Sequence, residues 1–125
     1  MSSMNRLLAF LVAAFVAVST LPAMAQKAGP NGGMMMGKDG HETELIVSPS
    51  ELTVYLHENG KPEDVKGAKF RAVVQEGGKN TTVNFVVDGK RLVAKIAAPL
   101  GKGAVVVITG TDGDNHMISS RYVIN

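Results

Sequence analysis

The sequence predicts an all-β domain built as a sandwich of short strands, and three observations predict it. Apolar and polar residues alternate with a period of two in segment after segment, the mark of strands with one buried face. Clusters of Gly, Asn, Asp and Pro interrupt these segments at steady intervals of roughly 8–12 residues. Beyond the first 25 residues, no segment carries the apolar stripe that an amphipathic helix needs.

The first 25 residues read as a leader. Arg6 supplies a positive start, Leu7 to Val18 is an unbroken apolar run, and Ala23-Met24-Ala25 is a small-x-small cleavage site before Gln26. A membrane-spanning helix needs about 20 apolar residues, more than this run offers. A cleaved signal peptide over 1–25 is therefore expected, with the mature chain periplasmic or secreted and without a lasting membrane anchor. The chain has no cysteine. That excludes a lipid-anchored lipoprotein, disulfide staples, thiol redox chemistry and thiolate metal sites.

Residues 26–42 come next. Five glycines and a proline fall within residues 26–40, which predicts a flexible Gly/Met-rich arm rather than a packed element. The β-domain is expected over residues 43–125. Its first strand is Glu44 to Val47. In the second, Leu52, Val54 and Leu56 alternate with Thr53, Tyr55 and His57, which puts His57 on an exposed face. Phe70, Ala72 and Val74 mark the third strand, Val83, Phe85 and Val87 the fourth, and Leu92, Ala94 and Ile96 the fifth. Ala104 to Ile108 is apolar throughout, so the sixth is expected to be central and covered on both sides. Ile118, Ser120, Tyr122 and Ile124 form one face of the seventh. Asp88-Gly89 is expected to be a two-residue type I′ hairpin, and the long Asn59–Ala68 connection to cross between sheets. Seven short strands at this spacing predict an immunoglobulin-like sandwich, with a small open barrel as the alternative.

Leu52 to Pro62, ending in Asn59-Gly60-Lys61-Pro62 and followed by Gly67-Ala68, resembles a turn element of exported bacterial immunoglobulin-like modules, the YtkA-like domains among them. With His41-Glu42-Thr43-Glu44 and the closing Ser119–Val123 segment, the chain is also similar to small periplasmic proteins that accompany heavy-metal efflux systems. The resemblance covers about 80 residues. It implies an extracytoplasmic accessory role and brings no active site with it.

Charge excludes further classes. Residues 26–125 carry twelve Lys+Arg against eleven Asp+Glu, scattered along the chain. A nucleic-acid binder shows a clustered basic surface instead, so no nucleic-acid partner is expected. No Gly-x-Ser-x-Gly elbow, phosphate-cradling loop or dinucleotide fingerprint is present. The absence of tryptophan leaves paired carboxylates without a sugar platform. Asp112-Gly113-Asp114-Asn115 lacks the closing glutamate of a calcium loop and reads as a turn. An enzyme is not expected.

Methionine carries the remaining chemistry. Thioethers suit soft ions such as Cu(I) or Ag(I). Met34, Met35 and Met36 with His41, and the pair His116-Met117, are the candidate metal ligands, and copper is the metal they suit. Two readings follow. One is a non-enzymatic interaction module that meets a protein partner or a second copy through strand edges or an outer sheet face, where Val73, Val86, Val93 and Val123 point outward. The other is a soft-metal accessory protein that uses the Met/His arm.

Overall fold

A computed structural model describes residues 26–125; the leader expected over 1–25 lies outside the described residues. The described chain is all-β, with no helix. Its strands are β1 (Lys27–Ala28), β2 (Met34–Lys38), β3 (His41–Val47), β4 (Glu51–Glu58), β5 (Lys61–Glu63), β6 (Lys69–Glu76), β7 (Lys79–Asn84), β8 (Val86–Asp88), β9 (Arg91–Lys95), β10 (Val105–Thr111) and β11 (Met117–Val123). They form two antiparallel sheets. The larger runs β1-β2-β3-β4-β9-β8, with β5 also paired to β4; the smaller runs β11-β10-β6-β7.

Strand alternation builds the core between them. Leu45, Leu52, Val54, Leu56, Leu92 and Ala94 from the larger sheet meet Phe70, Ala72, Val74, Val106, Ile108, Ile118 and Tyr122 from the smaller. A polar seam ties the sheets at one side. The Tyr122 hydroxyl donates to the Thr43 carbonyl at 2.7 Å, Thr43 Oγ1 bonds Ser120 Oγ at 2.9 Å, and Ser120 Oγ reaches the Met36 carbonyl at 3.3 Å. Every buried hydroxyl in this seam has a partner, as a dry interior requires.

Several expectations are corrected. There are eleven strands among the described residues, where seven were expected. Residues 26–42 do not form a flexible arm: β1, β2 and the start of β3 extend the larger sheet, with Met35↔Glu44 and Lys38↔His41 in register. The Asp39-Gly40 turn explains this, since both residues hold positive φ (57° and 79°), the conformation of a tight type I′ hairpin. The Asn59–Ala68 connection does cross between sheets, but its first part folds back as β5 on a second such turn at Asn59-Gly60. The expected fourth strand is split. After β7, Phe85 turns into the core and donates its N–H to the Phe70 carbonyl at 3.0 Å, and β8 then joins the other sheet. The following hairpin pairs Asp88 with Arg91, so its central residues are Gly89-Lys90, one place beyond the expected turn. β10 is central in its sheet, yet only Val106 and Ile108 are buried; Val105 and Val107 are partly open on the far face. Val86 and Val123 are exposed as expected, whereas Val93, lying between Thr53 and Val86, is 8% exposed.

Candidate metal centre

Outside the hydrocarbon core, ionisable groups carried by the two sheets come together. The Asp39-Gly40 hairpin delivers His41 to the first position of β3. Two residues later on the same face, Thr43 is fully buried and bonded to Tyr122, so alternation directs His41 between the sheets. From the smaller sheet, the β10–β11 turn delivers Asp112 and His116. Asp112 is 1% exposed and organises this turn: its Oδ1 accepts from the Asp114 N–H at 2.9 Å and the His116 N–H at 2.8 Å. Its Oδ2 lies 2.9 Å from His116 Nδ1. A carboxylate brings no proton, so Nδ1–H of His116 donates and its Nε2 is left free.

The His41 and His116 rings lie with centroids 4.6 Å apart. One donor atom each from His41, Asp112 and His116 lies within 4.8 Å of the other two. Glu63, from β5, faces Asp112 from behind, and a carboxyl oxygen of Glu63, Asp112 and Asp114 form a second group of the same compactness. Three buried side-chain atoms among the described residues have no hydrogen-bond partner, and two of them are here: His41 Nδ1 and Glu63 Oε2.

Electrostatics binds these groups into one unit. Burial, followed by the hydrogen bond and charge of Asp112, pushes the Glu63 carboxyl up to about 7. Burial works to raise Asp112 as well, but hydrogen bonds from Glu63 and His116 outweigh it and hold Asp112 down at about 2. The Asp112 hydrogen bond and charge raise His116 above the ordinary histidine value. Asp112 thus lies low, Glu63 beside it lies high, and His116 is raised by its hydrogen bond to Asp112.

The sequence-predicted ligands divide. His41 and His116 come together. The methionines do not join them as a set. Met34 and Met36 are half-buried against the hydrophobic core, while Met35 points to the opposite face, 6% exposed and directly across from Glu44. The alternation of a strand separates such neighbours, so three consecutive methionines cannot wrap one ion. The same rule splits His116 from Met117. Met117 is 81% exposed and pairs with Thr111, although it borders the hollow outside the histidines. Asp112 and Glu63 were missed as candidates. Asp112 carried a signal, an acid four residues before His116 across a tight turn; Glu63 carried none, since only the folding back of β5 brings it there.

His57 also departs from expectation. It is 2% exposed, and its Nε2–H donates to Glu44 Oε1 at 2.9 Å. Glu44 accepts further bonds from the Asn31 N–H at 2.7 Å, Asn31 Nδ2 at 2.9 Å and the Gly33 N–H at 3.0 Å. Both Glu44 oxygens are thus used twice, and they clamp Asn31 and Gly33 onto the sheet.

No protein-family description, no curated protein and no solved structure matches this chain.

Proposed function

We propose that this chain is an exported, non-enzymatic accessory module that holds one divalent transition-metal ion between its sheets, through His41, Asp112 and His116. The single observation that carries the reading is the convergence of these three donors within 4.8 Å, from different sheets, with His41 Nδ1 buried and unpartnered. Metal-ligating histidine and carboxylate groups normally have supporting partners behind them, and Glu63 stands in that position toward Asp112. Imidazole and carboxylate donors suit Cu(II), Zn(II) or Ni(II) better than Cu(I). Copper stays in the proposal as Cu(II), and the thioether site is set aside. Export rests on the leader reading of residues 1–25, and the immunoglobulin-like grouping on the two packed antiparallel sheets.

Titration of the mature protein with Cu(II) and Zn(II) against a chromophoric chelator tests this. One ion per chain is expected, lost in His41→Ala and in His116→Ala and retained in Met34→Leu/Met36→Leu. Equal binding by wild type and both histidine variants would overturn the assignment.

The interaction reading keeps one favourable observation. β7 and β8 are successive edges of the two sheets, and Val86 and Val87 on β8 are 64% and 49% exposed. A partner strand could add there.

A further inference from the structure

His41 comes from the larger sheet, and Asp112 and His116 from the β10–β11 turn of the smaller. Asp112 is buried, His41 is partly buried, and His116 is half-exposed. Outside them is a hollow of about 170 Å³ bordered by Lys38, Asp39, His41, His116, Met117 and Ser119. An ion with three protein donors has at least one further coordination position, as in metal sites that take up an exogenous ligand. His41 and His116 border the hollow and Asp112 does not, so the open position is assigned to the hollow side, where the space is large enough for a five-membered ring.

We infer that the metal-loaded protein takes an additional imidazole ligand from outside the chain into this hollow, and so recognises a histidine-bearing partner or free histidine through the ion. This rests on the metal reading above. A second copy of the chain is a poor source. The chain has three histidines. His57 is buried against Glu44, and a copy's His41 and His116 are engaged in its own site. Imidazole is the class of choice because it matches the ions this donor set suits and because, being neutral, it adds no charge beside Asp112, Asp114 and Asp39.

The test adds imidazole to the Cu(II)-loaded mature protein and follows the visible d–d band and the EPR signal. A saturable shift to shorter wavelength is expected as nitrogen replaces water. Ser119→Trp, which fills the hollow without altering a ligand, should load copper with unchanged stoichiometry and lose the shift. Free histidine and a histidine-containing peptide are added in turn: a shift with both assigns the position to imidazole from either source, a shift with free histidine alone restricts it to the small molecule, and the molar mass in solution should stay that of one chain. A loaded protein whose spectrum ignores imidazole, or a Ser119→Trp variant that still responds, overturns the inference and leaves the metal site standing. Failure to load copper at all overturns both. A doubling of mass on loading, without added imidazole, assigns the position to a second copy and also overturns it.

Discussion

Glu44 shows how a single side chain decides the fate of a segment. Its carboxylate is fully buried, and a buried charge is tolerated only when hydrogen bonds replace water. Burial alone would raise its pKa, but bonds from Asn31, Gly33 and His57 more than offset that and hold it below the ordinary glutamate value. Its contribution to stability is therefore present above pH 4.5 and is lost as the pH falls through its depressed value. Glu44→Gln removes the charge and turns one acceptor into a donor that faces the His57 or Asn31 donors. The expected cost is about 2–3 kcal/mol, the scale of a hydrogen bond to a charged group. Urea unfolding would measure it, and a variant as stable as the wild type would remove this role. The Gly29–Gly33 segment should exchange its amides faster in the same variant, because Glu44 holds both the Asn31 and Gly33 N–H groups.

At the scale of elements, the β2–β3 hairpin positions His41 of the proposed metal centre. Gly40 sits at φ 79°, and a Cβ there would collide with the Asn59 side chain. Gly40→Ala should cost on the order of 1 kcal/mol from the backbone alone. It should also weaken Zn(II) binding, since His41 is the next residue; an unchanged affinity would mean that the hairpin does not set the ligand. Asp39-Gly40 is one of the strongest short-range hairpin signals a sequence can carry. It was legible, but the glycines around the methionines obscured it, because composition suggested a loop where register required a turn. The period-two strands were legible for the opposite reason: Leu52–Leu56 and Phe70–Val74 bury one face each, and that pattern is local. Glu63, the split at Phe85 and the burial of His57 were not legible. Each depends on which strand lies alongside, and that is fixed by contacts distant in sequence. The cluster proposed as a metal centre was legible by half, its histidines by residue type, its carboxylates only through topology.

For the whole molecule, the centre spans two sheets of a domain that has no disulfide, so its protonation state is linked to folding. Glu63 rises from 4.5 to about 7 on folding, which means the folded chain retains a proton that the unfolded chain gives up. His116 is also raised, from 6.5, and its pairing with Asp112 is fully present below that pH and lost as the pH rises through the raised value; its exposure reduces its share. Both groups lower stability as pH climbs, Glu63 between 4.5 and about 7 and His116 from 6.5 through its raised value, because the native state then binds more protons than the unfolded state. Asp112 acts in the other direction, its share present above pH 3.8 and lost toward 2. The metal-free protein should therefore melt at a higher temperature at pH 5 than at pH 7.5. A metal ion replaces those protons and needs deprotonated ligands, so it inverts the trend. Zn(II) at a hundred times its dissociation constant adds about 2.7 kcal/mol, which for a domain of this size is on the order of 10 °C. That gain should be present at pH 7.5 and largely absent at pH 5. Melting curves at the two pH values, with Zn(II) and with chelator, measure all four corners of this cycle. A metal-free protein more stable at pH 7.5 would mean that Glu63 and His116 do not hold their protons on folding. A zinc gain equal at both pH values would mean that the ion binds elsewhere than at titrating histidines.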